Sequence, residues 1–183
     1  MTEDDTGAAA PYTDASRARL VMAYEACELA DLARAAVPIA EHELKPDGAI
    51  RSPGVVLADA ARVLAAAQRF LEAAAVFERI GGADWQLIGD VLGVSPQAAR
   101  VRFAMAETAF REELLSREGT GTAGAAGEVS RLRAHIAREP LETALDLDDW
   151  VLRHEDGDSG FGTTPVSGGL VRRASRRRAE KHA

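Results

Sequence analysis

The sequence has a single cysteine among its 183 residues, and only two of its 22 basic residues are lysine. Cys27 alone can form neither an internal disulfide nor a multi-cysteine metal site. His42 and His154 are flanked only by adjacent carboxylates, and adjacent residues on a helix point away from each other. We therefore expect no metal site and no cofactor.

Long apolar runs and the motifs of common enzymes are also missing. No apolar stretch approaches the roughly 20 residues that a membrane-spanning helix needs. The N-terminal Met-Thr-Glu-Asp-Asp-Thr is too acidic for a signal peptide. The chain contains no Gly-Lys-Ser/Thr phosphate loop and no Gly-x-Ser-x-Gly elbow. These absences predict a cytoplasmic protein with no catalytic site and no membrane partner.

Aromatic residues make up only 5% of the chain, whereas hydrophobic residues make up 46%, and many of these are alanine. Alanine is the best helix former and fills little volume. No window shows the sustained alternation of a β-strand. The composition therefore predicts an all-α fold with closely packed helices, and the excess of arginine over lysine is typical of a GC-rich bacterial genome.

Residues 84–103 have the layout of two short helices joined by a tight turn. Gly89 provides a small residue where the second helix crosses the first, and Gly93 tolerates the positive φ of the turn. Ser95 and Pro96 suit the N-cap and the first position of the second helix. The residues that a small three-helix core would bury are Trp85, Ile88, Leu92, Val94, Ala99 and Phe103.

A second helix at about 95–117 in such a helix-turn-helix would lie in the major groove of DNA. Gln can bond adenine at two points, Arg can do the same to guanine, and small apolar groups contact the thymine methyl. We therefore predict a DNA-binding protein, and a transcriptional regulator, with double-stranded DNA as its partner. The residues predicted to face DNA are Ser95, Gln97, Ala98, Arg100, Val101 and Arg102.

The stretch from Trp85 to Phe103 resembles the motif of small actinobacterial helix-turn-helix proteins. Their pattern is Trp-x-x-Ile-Gly-x-x-Leu-Gly-Val-Ser/Thr-x-Gln-Ala-Ala followed by Arg-Phe, and they are similar to the promoter-recognising fourth region of sigma factors. The resemblance covers about residues 70–104 and implies DNA binding without a particular target. Pro96 departs from the basic or polar residue common there, so one phosphate or base contact is not carried over.

The charge distribution opposes strong DNA binding by this region alone. The chain has a net charge of −7, and residues 84–118 carry −2, whereas residues 171–183 carry +5. Phosphate contacts supply most non-specific affinity. Either the tail adds the missing charge, or a second copy doubles the contacts, or the affinity is low. Alternatively, the tail serves solubility or neutralises the acidic segment 142–158. The tail residues that could contact DNA are Arg172, Arg173, Arg176, Arg177 and Arg178.

Two long helices are predicted before the motif. Thr13 or Asp14 should cap a helix that reaches about Leu44, with a kink or break near Val37. Ser52 should cap a second helix that begins at Pro53 and ends at Gly81-Gly82. The apolar positions that repeat every seven residues in the second helix are Val56, Val63, Phe70 and Phe77, with Leu57, Leu64 and Leu71 beside them. This 56–77 face predicts either a hairpin with the first helix or a homodimer.

An acidic apolar segment at 141–152, which includes Trp150, could dock on a partner protein or pack back on the chain. It supports the alternative function, a non-catalytic interaction adaptor. The predicted fold is a long helical hairpin, a helix-turn-helix, a flexible glycine linker, short C-terminal helices and a disordered tail. The predicted boundaries are 1–13 disordered, 14–80 hairpin, 81–118 helix-turn-helix, 119–127 linker, 128–155 short acidic helical segment and 156–183 disordered basic tail.

Overall fold

The computed structural model describes residues 12–115, 133, 135, 136, 139–155, 160 and 162–170. This part of the chain is mostly helical and contains no strand beyond an isolated bridge, which confirms the predicted all-α class. Among these residues, no helix combines the length and the apolar character needed to cross a bilayer. The helices are α1 (Asp14–Ala35), α2 (Val55–Ile80), α3 (Trp85–Leu92), α4 (Pro96–Leu115) and α5 (Pro140–His154).

Helix α1 is shorter than the sequence predicts. It begins after Thr13, whose side-chain oxygen accepts a hydrogen bond from the Ser16 backbone N–H at 3.1 Å. It ends at Ala35, which confirms the predicted break near Val37, whereas the predicted continuation to about Leu44 is wrong. Pro38 disfavours the helical conformation of the preceding Val37 and has no N–H to donate. Residues 36–54 form a turn-rich loop instead.

Helix α2 starts later than predicted and ends where expected. Its N-cap is Gly54 at φ 96°, so the prediction that Ser52 caps a helix beginning at Pro53 is wrong. The left-handed conformation of Gly54 breaks the helical path between Pro53 and Val55. The predicted end at Ile80 is confirmed, and Gly81 follows as the C-cap.

Helices α1 and α2 pack antiparallel along one another. Glu25 is joined to Arg69 at 2.9 Å, while Ala18, about two turns earlier on α1, lies in the same groove as Val76, further along α2. Packed on these two helices are Phe110 of α4, Ile136 and the inner face of α5. The buried apolar residues of this main core are Ala18, Leu20, Val21, Ala73, Val76, Phe110, Ile136, Ala144 and Leu147.

Part of the segment predicted as a disordered tail is ordered against α5. Asp148 is buried, and its carboxylate accepts hydrogen bonds from the backbone N–H groups of Val166 (2.6 Å) and Ser167 (3.0 Å) and from the Ser167 hydroxyl. These bonds satisfy the N–H groups that begin the helical residues 167–170. Val166 and Leu170 then pack on the main core, so order extends to residue 170.

Several predictions fall wholly or partly outside the described residues. They concern the N-terminal segment before residue 12, the 119–127 linker and the tail arginines Arg172, Arg173, Arg176, Arg177 and Arg178. Within the predicted helix at 128–138, the described residues Arg133, His135 and Ile136 are helical.

Candidate nucleic-acid interface

The turn between α3 and α4 is built by side-chain caps and one left-handed glycine. The Asp84 carboxylate accepts a hydrogen bond from the Leu87 N–H at 2.8 Å, which caps α3. Gly93 ends α3 at φ 67°, as predicted. The Ser95 hydroxyl then accepts a hydrogen bond from the Ala98 N–H at 3.2 Å, which confirms it as the cap of α4. These local bonds set the direction in which α4 leaves α3.

Gly89 brings the backbone of the turn against α3. A Cβ added at this buried residue would lie 2.7 Å from the Val94 carbonyl oxygen and 3.1 Å from the Pro96 nitrogen. Both neighbours are backbone atoms that cannot rotate away, so a larger residue would force the turn off the helix. The prediction that a small residue is required here is confirmed.

Together, α3 and α4 pack on the C-terminal half of α2; residues 84–115 are called the α3–α4 unit below. Its buried apolar residues Ile88, Ala99 and Phe103 surround Ala75 of α2. The residues packed around them are Leu71, Ala83, Trp85 and Leu92. Val94 is 40% exposed, so the prediction that the three-helix core buries it is wrong. It lies inside the turn, directly after the left-handed Gly93, and its side chain is left outside the core.

Arg79, near the end of α2, connects the α3–α4 unit to α2. Its guanidinium donates hydrogen bonds to the Glu107 carboxylate (3.0 Å) and to the Ala83 carbonyl, and lies 4.4 Å from the centre of the Trp85 ring. Sequence reasoning missed this residue because its partner on α4 is 28 residues away. No local pattern marks such a pair.

Glu107 holds two arginines in internal ion pairs. Burial alone would raise the pKa of Glu107, but hydrogen bonds from Arg79 and Arg111, with their positive charges, lower it below its usual value of 4.5. Its carboxylate accepts from Arg111 at 2.9 Å as well as from Arg79. These two arginines are therefore occupied within the protein.

The six residues predicted to face DNA all lie exposed on the first turns of α4. They are Ser95, Gln97, Ala98, Arg100, Val101 and Arg102. Ala99 and Phe103, on the opposite side, are 0% and 2% exposed. The Arg102 guanidinium lies 5.0 Å from the centre of the Phe103 ring, whereas Arg100 has no ion pair among the described residues. The arrangement presents polar and basic groups on a helix with a fixed buried side.

The acidic segment packs back on α1. The Trp150 ring nitrogen donates to both carboxylate oxygens of Asp31, at 3.1 and 3.2 Å. Leu147 is buried in the main core. The leucines of α5 that stay exposed are Leu141, Leu145 and Leu152.

Outside this face, the described residues form no candidate metal site and hold no activated thiol. Within the described ranges, no group of three or more His, Cys, Asp or Glu side chains is arranged to hold a metal. The Nε2 atom of His135 lies 3.6 Å from a carboxylate oxygen of Glu142, which makes a pair and not a group of three. Burial, with smaller effects of Asp31 and Glu28, raises the pKa of Cys27 to about 11, which disfavours the reactive thiolate.

Comparison of the chain with known family models, curated proteins and solved structures finds no match.

Proposed function

We propose that the α3–α4 unit is a helix-turn-helix that binds double-stranded DNA and that the protein regulates transcription. The observation that carries the proposal is the exposed surface at the start of α4, where Gln97, Arg100 and Arg102 are exposed while Ala99 and Phe103 are buried. A helix held rigidly in this way can enter the major groove with its first turns towards the bases. The resemblance to actinobacterial helix-turn-helix proteins supports the same function.

The charge of the unit predicts how the binding should behave. Arg79 and Arg111 are paired with Glu107, so Arg100 and Arg102 are the basic residues that α4 offers to DNA. Each phosphate contact contributes about −0.9 to the slope of log affinity against log salt. A unit with few such contacts should bind one site weakly, and a second copy or the basic tail would strengthen it.

A selection from a randomised duplex pool, followed by a salt series on the enriched sequence, tests the proposal. Arg100→Ala should weaken binding about tenfold to a hundredfold if Arg100 contacts a guanine, which corresponds to about 1–3 kcal/mol. Arg102→Ala, at the flank, should reduce the salt slope by about 1 if Arg102 contacts a phosphate.

Arg153→Ala is the matched control because it removes the same charge from an exposed residue of α5, a helix that packs on α1. It should leave the affinity within about twofold of the unchanged protein. The proposal fails if no sequence is enriched at low salt, or if Arg100→Ala and Arg102→Ala behave like the control.

A second candidate function is that of a protein-interaction adaptor, favoured by the exposed leucines of α5. Leu141, Leu145 and Leu152 lie among acidic residues on an exposed face, although Trp150 is held by Asp31. Enrichment of no duplex, together with saturable binding of a basic amphipathic helical peptide that Leu145→Glu abolishes, would favour this function over DNA binding.

A further inference from the structure

Helix α2 carries a stripe of uncharged, mostly apolar residues that is exposed in the described part of the chain, beside the α3–α4 unit. The stripe consists of Leu57, Ala60, Ala61, Leu64, Ala65 and Gln68, all exposed. Leu57 is 75% exposed and Leu64 is 60% exposed, and a contiguous exposed apolar patch of this kind marks an interaction site. The same face one turn further on, at Leu71 and Ala75, is covered by α3 and α4.

Helix α4 borders the C-terminal end of this stripe, where Arg102 and Phe103 line a groove with Ala65 and Gln68. Helix α1 lies on the other side of α2. Glu25 of α1 pairs with Arg69 of α2, and the two antiparallel helices have the same rise per residue. Ala35, the last residue of α1, therefore lies about level with Asp59 of α2. The first turn of α2, at Val55 and Val56, therefore extends past the end of α1. Along its length α1 packs on the opposite face of α2, where Ala66 and Ala73 are buried.

We propose that this stripe is the interface between two copies of the chain, paired antiparallel about a two-fold axis at Ala60 and Ala61. In this register Leu57 of each copy contacts Leu64 of the other copy. The two contacts lie on either side of a centre formed by the alanines. An isologous contact requires such a self-complementary surface. The alanines at the centre allow the two helices to approach closely.

The chemistry of the stripe argues against charged occupants. None of its six residues is charged, so it offers nothing to DNA phosphates or to an acidic helix. The core of a protein–protein interface is depleted of charge in the same way. A second copy provides the matching neutral surface.

The antiparallel register also brings together two other exposed apolar surfaces. In this register, the α3–α4 unit of one copy would lie beyond the N-terminus of α2 of the other copy. It would therefore lie beside the loop 36–54 of that other copy. The unit exposes Leu87 and Val91, and the loop exposes Val37, Ile39, Leu44 and Ile50. Contact between them would enlarge an interface that the stripe alone would leave small.

The parts of α2 on which the two α3–α4 units pack would be separated by about one turn of DNA, and here the inference rests on the proposed function. Since an α-helix rises about 1.5 Å per residue, the two copies of Leu71 would lie about 32 Å apart and the two copies of Ala75 about 44 Å apart. One turn of DNA, the separation of two half-sites, is about 34 Å. The dimer would thus supply the second set of phosphate contacts that one unit lacks.

Sedimentation equilibrium of the full chain without DNA tests the interface. The mass should rise with concentration to twice the 19.4 kDa of one chain, and Leu64→Glu should hold it at one chain. Met105→Glu is the matched control because Met105 is 77% exposed but lies on α4 outside the stripe. Both variants should keep the far-UV circular dichroism of the unchanged protein.

Crosslinking tests the register independently of any effect of charge. In a Cys27→Ser background, Ala61→Cys should form a disulfide-linked dimer on mild oxidation, whereas Met105→Cys should not. A mass of one chain at every concentration overturns the proposal, and so does a dimer that Leu64→Glu leaves intact or that crosslinks through residue 105 alone. A dimer without DNA binding would refute the proposed function and leave the interface standing; DNA binding by a monomer would do the reverse.

Discussion

The two halves of α2 have the same kind of outer face but different surroundings. In the C-terminal half, Leu71 and Ala75 pack on Ile88, Ala99 and Phe103. In the N-terminal half, Leu57 and Leu64 continue the same seven-residue repeat and are exposed. The repeat therefore shows that this face is suited to packing, while the path of the following chain decides which half is covered within the monomer.

The path is set by the Gly81-Gly82 turn and by Arg79. Gly82 has φ 102°, which lets the chain reverse after α2 and lay α3 back on it. Arg79 then bonds the Ala83 carbonyl and Glu107 on α4. Because the chain reverses directly after the last residue of α2, the short helix α3 contacts only the last turns of α2.

The largest expected difference between the two halves is the loss of an apolar side chain. Phe103→Ala should lower the free energy of unfolding by about 3–5 kcal/mol, because it leaves a cavity against the C-terminal half. Leu64→Ala should change it by less than about 0.5 kcal/mol at dilutions where the chain is monomeric. Urea denaturation followed by circular dichroism measures both. Similar losses in the two variants would mean that the N-terminal half is also covered.

A matched pair of small-to-large substitutions within α2 sharpens the comparison. Ala75 is 6% exposed, so Ala75→Leu should cost about 1–3 kcal/mol of unfolding free energy through overpacking against Ile88 and Phe103. Ala61→Leu makes the same change in the same helix on an exposed position and should stay within about 0.5 kcal/mol. Thermal unfolding at low protein concentration compares them. Equal destabilisation would contradict the packing of α3 and α4 described above.

The smallest expected effect concerns the ion pairs that attach α4 to the covered half. The folded-state pKa of Glu107 lies below the 4.5 of the free side chain, so its ion pairs stabilise the fold above that pH. This contribution is lost as the pH falls through the folded-state pKa. Glu107→Gln should therefore reduce the loss of stability between about pH 6 and about pH 3.

Glu112→Gln is the control for this titration because Glu112 is exposed on the same helix. Chemical denaturation across the pH range should give the control the same acid-side slope as the unchanged protein. A Glu107→Gln variant with an unaltered slope would show that Arg79 and Arg111 do not stabilise the fold through this carboxylate.

Helix ends and turns were predicted best where one residue type has one strong local role. Gly93 and Ser95 act through the local conformation and through bonds within three residues, so their effects are visible in the sequence. The start of α2 was predicted wrongly because Ser52-Pro53 is also a good turn, and Gly54 took the cap. At this position the preference of Ser-Pro for a helix start competes with its preference for a turn, and the sequence pattern does not show which preference is stronger.

The candidate interface was predicted as a set of residues on one helix face, and the structure places all six exposed. Exposure follows from the 3.6-residue period, since Ala99 and Phe103 define the buried side. The pairing of Arg79 and Arg111 with Glu107 was not predicted, although it decides which basic residues remain for a ligand. Such pairs depend on how helices dock, which no short window of sequence contains.

The sequence by itself determined the all-α class, the α3–turn–α4 layout and the apolar repeat of α2, because caps, glycine conformations and helical periodicity act within a few residues. Only the tertiary structure decided that α5 packs on α1 through Trp150 and Asp31, that residues 162–170 are held by Asp148, and that half of the α2 repeat is left bare. Those outcomes depend on contacts between residues far apart in the chain. The hydrophobic effect favours burial of an apolar helix face but is non-directional, so it does not determine which surface covers that face.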